Sequence, residues 1–130
     1  MDFKLAVLCE DAAITGVGNI NVHRTFRHLW AGAFPHQHPR MVLVCTVAIP
    51  DAFDSDHFQL AVDFIDPDGR RLDRVLDAIQ PCEQNGQTRD MLDFTVELRN
   101  LVFEAPGAYQ FSIFINGDLV QAVGLNLHRA

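Results

Sequence analysis

Apolar and polar residues alternate along much of this chain. The alternation is clearest at Leu92-Asp93-Phe94-Thr95-Val96-Glu97-Leu98-Arg99, where every even position is apolar and every odd position polar. Side chains of an extended chain point to opposite faces in turn, so a period of two predicts a strand with one buried face. The same pattern, with less polar outer faces, runs through Phe3 to Glu10, Ile20 to Phe26, Met41 to Ile49, Phe58 to Ile65, Tyr109 to Ile115 and Leu119 to Leu127, making seven predicted strands in all. Asn116-Gly117-Asp118, between the last two runs, supplies the positive backbone dihedrals of a tight hairpin turn. Asp66-Pro67-Asp68-Gly69 is a second turn, with proline setting one central angle and glycine freeing another. Gly16-Val17-Gly18 resembles a phosphate cradle only in its glycines: no lysine follows it, and a strand rather than a helix comes next, so it is read as a turn.

One stretch departs from the period of two. Leu72, Val75, Leu76 and Ile79 fall at the spacing of a helix face. The turn at Pro67-Asp68-Gly69 and the proline at Pro81 confine it to about three helical turns. It is therefore read as an irregular edge strand, with a short crossover helix as the alternative. Short strands at regular spacing, joined by Gly/Pro turns and free of linkers or repeats, predict an all-β protein. The expected architecture is a single antiparallel β-sandwich of immunoglobulin-like type over residues 1–130, with seven to eight strands and one long loop near residues 27–40.

Composition narrows the partners. Of 130 residues, 48% are hydrophobic and 21% charged, which excludes a disordered chain, a coiled coil and a collagen-like repeat. The net charge of −7 argues against a nucleic-acid backbone or an anionic membrane surface as partner. No window reaches the ~20 apolar residues of a membrane span, and Met1-Asp2-Phe3-Lys4 does not open a leader pattern, so a cytoplasmic location is expected. Cys9, Cys45 and Cys82 are odd in number and widely spaced, which fits neither a disulfide framework nor a cysteine-rich zinc site.

A resemblance extends over nearly the whole chain. Leu8-Cys9-Glu10-Asp11-Ala12, Gly18-Asn19-Ile20-Asn21-Val22, Phe34-Pro35 with His38-Pro39, and Asp66-Pro67-Asp68-Gly69-Arg70 together resemble a family of small bacterial proteins of unknown function, of about this length. The stretch from Asn100-Leu101-Val102-Phe103 through Pro106-Gly107-Ala108-Tyr109-Gln110-Phe111 to Ile115-Asn116-Gly117 is similar to that family and also to the closing hairpin of many bacterial immunoglobulin-like sandwiches. These motifs punctuate turns and strands, so the resemblance implies a fold and carries no catalytic residues. Pro106-Gly107 can turn the chain ahead of Tyr109, whose hydroxyl is then placed to bond back across the corner as in a tyrosine corner.

The candidate chemistry concentrates in Arg27-His28-Leu29-Trp30-Ala31-Gly32-Ala33-Phe34-Pro35-His36-Gln37-His38-Pro39-Arg40, which holds the only tryptophan and three of six histidines. Read as a working surface, its partner-binding residues are His28, Trp30, Phe34, His36 and His38. Trp30 and Phe34 either plug the open end of the sandwich, which the usual burial of aromatics favours, or anchor a partner. An alternative is a metal centre. The prolines flanking His36 and His38 hold both imidazoles on one side of an extended chain, and Asp68 on a neighbouring turn would complete two histidines and one carboxylate for zinc or iron. A cupin-like version lacks the carboxylate that should follow His38 and the histidine of a second motif after Pro106-Gly107. Asp51, Asp54 and Asp56 lack the glycine and closing glutamate of a calcium loop, and no cysteine or serine has a motif implying an activating base. The expected function is thus a non-enzymatic, cofactor-free protein-interaction module, with self-association through an open sheet edge as a further expectation. The alternative is a metal-binding enzyme or sensor centred on His36, His38 and Asp68.

Overall fold

The computed structural model describes residues 1–16, 18–84, 87–88 and 90–130, so the turn at Gly16-Val17-Gly18 falls partly outside the described residues. Among the described residues, strands account for all regular structure and no helix forms. One sheet contains β1 (Asp2–Gly16), β2 (Asn19–Thr25), β4 (His36–Ala48) and β9 (Met91–Phe103), in the order β2-β1-β4-β9. The other contains β3 (His28–Ala31), β5 (His57–Ile65), β6 (Arg71–Pro81), β10 (Gly107–Ile115) and β11 (Asp118–Arg129), in the order β3-β11-β10-β5-β6. Two dipeptides, β7 (Glu83–Gln84) and β8 (Gln87–Thr88), form a small separate ribbon. Neighbouring strands are antiparallel except β3 and β11, which run parallel.

The inward positions of the two sheets share one core. Leu8, Met41, Leu43, Val96 and Leu98 of the first sheet cluster with Phe58, Val62, Phe64, Phe111, Ile113 and Leu125 of the second. Aromatic rings join the layers: Phe64 of the second sheet meets Phe103 of the first edge-on at 5.4 Å, and Tyr109 meets Phe103 edge-on at 4.9 Å. A smaller cluster of Cys9, Val42 and Val44 covers the opposite face of β1 and β4, which is why β4 is an almost continuous apolar run.

The turns predicted at Asn116-Gly117-Asp118 and Asp66-Pro67-Asp68-Gly69 both form. Asn116 and Gly117 carry φ of +50° and +85° in the β10–β11 hairpin. The Asp66 carboxylate accepts the N–H groups of Asp68 and Arg70, each at 2.9 Å, and so closes the β5–β6 turn on itself. Residues 72–79 are strand. Two register irregularities against β5 break the alternation in β6, so that the adjacent Val75 and Leu76 both turn partly inward while Leu72 and Ile79 stay exposed. Asp63 on β5 is buried beside this irregular edge and is held by the guanidinium of Arg74 at 2.8 and 3.3 Å.

The long loop expected near residues 27–40 is corrected by the structure. His28–Ala31 is strand β3 and His36–Arg40 opens strand β4, leaving only Gly32 to Pro35 as a connection. Pro39 is tolerated inside β4 because the β1 pairing ends at Val42, so its missing N–H faces an unpaired side. On β9 the alternation slips at Arg99 and Asn100, both exposed, where Asn100 takes φ +54°. The slip turns Leu101 and Phe103 into the core, and the paired residues His38 and His36 turn inward with them.

Candidate functional site

The candidate surface grows from a change of sheet. β2 runs along β1 as far as the Cys9–Thr25 pair, and Phe26 N–H still donates to Leu8 O at 3.0 Å. One residue later the chain belongs to the other sheet: Arg27 O accepts from Asn126 N–H at 2.9 Å, and β3 follows β11 in parallel. Alternation within β3 sends Leu29 and Ala31 inward and His28 and Trp30 outward. The register sets Trp30 beside His128 and His28 beside Asn126.

Three rings therefore stack on the outside of this edge. Trp30 lies on His128 with centroids 5.0 Å apart and planes at 23°, and His28 lies on His128 at 5.1 Å and 26°. His28 Nδ1 and His128 Nε2 are 2.8 Å apart, close enough for one ring to donate and the other to accept. Trp30 keeps 63% of its surface exposed. That corrects the favoured role as a plug: the residues turned towards the core here are Leu29, Phe26 and Phe34, and Trp30 faces out because it has the opposite parity on the strand. Phe34 braces the edge from the following turn, under the guanidinium of Arg129 at 5.1 Å.

The sheet change also opens a groove. Because β2 leaves β1 near Leu8 and β3 joins β11 only at Asn126, the flanks of both long strands are uncovered between those points. The cavity there has a volume of about 700 Å³ and is walled by Ala6–Leu8, Thr25–His28, Trp30 and Ala122–Gly124. Most of its lining residues are apolar, and Thr25, Arg27, His28 and Trp30 bring polar groups to it.

His36 and His38 form a separate pair, half-buried, with rings 5.8 Å apart. His36 stacks on Phe103 and His38 lies against Phe26 at 6.3 Å. Burial, and then the neighbouring His36, lower the His38 pKa below the ordinary histidine value. The triad of His36, His38 and Asp68 is not assembled: among the described residues no group of three or more His, Cys, Asp or Glu is placed to hold a metal ion. The inward turn at Pro39 and Asn100 packs the two imidazoles on aromatic rings, while Asp68 stays in the β5–β6 turn beside Glu104 and Pro106. The cysteines are buried and unpaired, and burial pushes the Cys45 thiol up to about 12, far from a reactive thiolate.

Of the five residues read from sequence as partner-binding, His28 and Trp30 meet on one surface, Phe34 lies beside it under Arg129, and His36 and His38 form a separate pair against Phe103 and Phe26. His128 and the Ala122–Gly124 wall were not legible as members. His128 carries a weak signal, a polar residue alternating with the buried Leu125 and Leu127, but its partner lies a hundred positions away.

No helix among the described residues is long and apolar enough to cross a membrane. No curated protein matches the chain. Among solved structures, it is similar to an alkylpurine DNA glycosylase, AlkC, of Pseudomonas fluorescens, in a structure bound to DNA containing an abasic site analog. Identity there is 11% and the TM-score 0.48, over 95% of this chain and only 30% of the glycosylase chain. The model of a family of unknown function, DUF6941, matches residues 4–128, and the chain belongs to that family.

Proposed function

We propose that the protein is a non-enzymatic binding module, an immunoglobulin-like sandwich of the bacterial cytoplasm, that takes a protein partner on the Trp30 face and the groove beside it. The exposure of Trp30 carries this reading. A tryptophan 63% in water forgoes most of the stabilisation its burial would give. Here it is also held in place by the stacked His128 ring, so little side-chain freedom is left to lose on binding. Interface hot spots are enriched in such residues.

Other features support the remaining parts of the proposal. A parallel first-edge strand on the last strand, with a tyrosine bonded back across the corner before the penultimate strand, accords with an immunoglobulin-like arrangement. Three unpaired cysteines suit a reducing compartment. The uncovered flank of β11 offers free backbone groups to an extended partner segment or to a second copy of the chain.

The test is photo-crosslinking in the native host, with a photoreactive aromatic amino acid at position 30 and, as control, at the exposed Met91 at the far end of the β4–β9 pair. A discrete protein adduct is expected from position 30 and none from position 91. Excess wild type should compete for it, and excess Trp30→Ala should not. Equal adducts from both positions, or full competition by Trp30→Ala, would overturn the assignment.

A further inference from the structure

His28 and His128 are the only part of the exposed ladder with the chemistry to hold something smaller than a protein. We propose that they form a two-imidazole site for a divalent transition-metal ion of the copper or nickel kind, with the remaining coordination positions open to water. The site is distinct from the expected triad at His36, His38 and Asp68, and it does not rest on the protein-binding role of Trp30.

Distance carries the argument. With metal–nitrogen bonds of about 2.0–2.1 Å, two ligands at a right angle stand ~2.9 Å apart, whereas a tetrahedral angle separates them by ~3.4 Å. His28 Nδ1 and His128 Nε2 are 2.8 Å apart, a hydrogen-bond contact that also lies nearer the right-angle span of a tetragonal copper(II) or nickel(II) centre than the tetrahedral span of zinc. The contact needs one N–H between the rings. On metal binding that proton moves to the other nitrogen of its own imidazole, so both facing nitrogens present lone pairs and the net charge of the pair is unchanged. The ring torsion of histidine is soft, so each ring can turn off the line between the two nitrogens until both lone pairs meet at one ion.

The backbone prepares the pair. β3 is tied to β11 at both ends, by Asn126 N–H to Arg27 O and by Ala130 N–H to Ala31 O, each 2.9 Å. His28 and His128 are then diagonal neighbours on one face of a paired edge. Among the described residues no third His, Cys, Asp or Glu joins them. A donor set of two neutral nitrogens disfavours calcium and magnesium, which select oxygen.

The chain reports on its own site, because its only tryptophan stacks 5.0 Å from the His128 ring and paramagnetic copper(II) or nickel(II) quenches nearby indole emission. Copper(II) chloride titrated into tag-free protein is expected to quench Trp30 saturably at one ion per chain. A chelator should reverse the quenching, and electron paramagnetic resonance should show two coupled nitrogens. His28→Ala and His128→Ala are each expected to weaken the midpoint at least about tenfold, since even outer partners of a metal site cost that much. His36→Ala and His38→Ala should leave it unchanged, and Trp30→Phe should keep the two-nitrogen signal. Quenching that does not saturate, survives in folded His128→Ala, or is lost in His36→Ala would overturn the site. If an alanine variant does not fold, the wild-type resonance decides alone: fewer than two coupled nitrogens refutes the proposal.

Discussion

The single tyrosine and the single tryptophan of this chain occupy opposite situations. Tyr109 is 3% exposed at the corner between β9 and β10. Its hydroxyl donates to Ala105 O at 2.7 Å and accepts from Ala105 N–H at 3.3 Å, and its ring packs on Phe64 and Phe103. Trp30, at the β3 edge, is 63% exposed and rests on two imidazoles. An aromatic ring stabilises a fold in proportion to the area it takes out of water, provided its polar atom is satisfied. By that measure the Tyr109 corner holds the sandwich together, and the Trp30 edge leaves its area free for something else.

The sharpest way to break this contrast is to empty the corner. Phe103→Ala removes the ring of the first sheet that packs edge-on against both Phe64 and Tyr109 of the second, and is expected to cost about 3–5 kcal/mol, read from the urea midpoint. A loss below ~1 kcal/mol would mean that the corner is not the mechanical centre we describe. Tyr109→Phe keeps the ring and deletes the hydroxyl that serves both polar groups of Ala105, so about 1–2 kcal/mol should be lost. Equal stability would reduce the tyrosine corner to ring packing alone.

Within the separate histidine pair, His38 should reveal itself by pH. Its native pKa is lowered by burial, so between that value and the ordinary ~6.5 the unfolded chain takes up a proton that the native chain does not. Stability must then rise as pH rises through that interval, and it loses this contribution progressively on acidification. Urea midpoints in a pH series should show that slope in the wild type and a shallower one in His38→Gln; identical slopes would contradict the burial. The smallest effect is expected at Trp30 itself: Trp30→Ala should change stability by no more than about 0.5 kcal/mol, and wild-type emission should be red and open to acrylamide. A loss of several kcal/mol would restore the plug and remove the free surface.

How far these features are legible in the sequence depends on their range. The strands from Phe3, Met41, Phe58, Leu92 and Tyr109 onward, the hairpin at Asn116-Gly117 and the corner bond of Tyr109 all arise within a few residues, and each forms as its local pattern indicates. Alternation, a positive φ at glycine and a hydroxyl four residues from its acceptor are local properties. Residues 72–79 misled halfway, because their spacing suggests one buried helical face, whereas in a strand whose register shifts twice only Val75 and Leu76 turn partly inward.

The Trp30 edge is another matter. His28-Leu29-Trp30-Ala31 alternates, but four residues before a Gly-Pro connection do not distinguish a strand from a loop; β11, about a hundred positions away, makes them one. Alternation by itself determined that this protein is built of strands with apolar faces, and most of the residues that line its core. Which edge stays open, that Trp30 stands in water, and that His28 meets His128 were decided by tertiary pairing. Backbone hydrogen bonds across long separations carry no local signature, since any extended segment can pair with any other until the whole core selects the register.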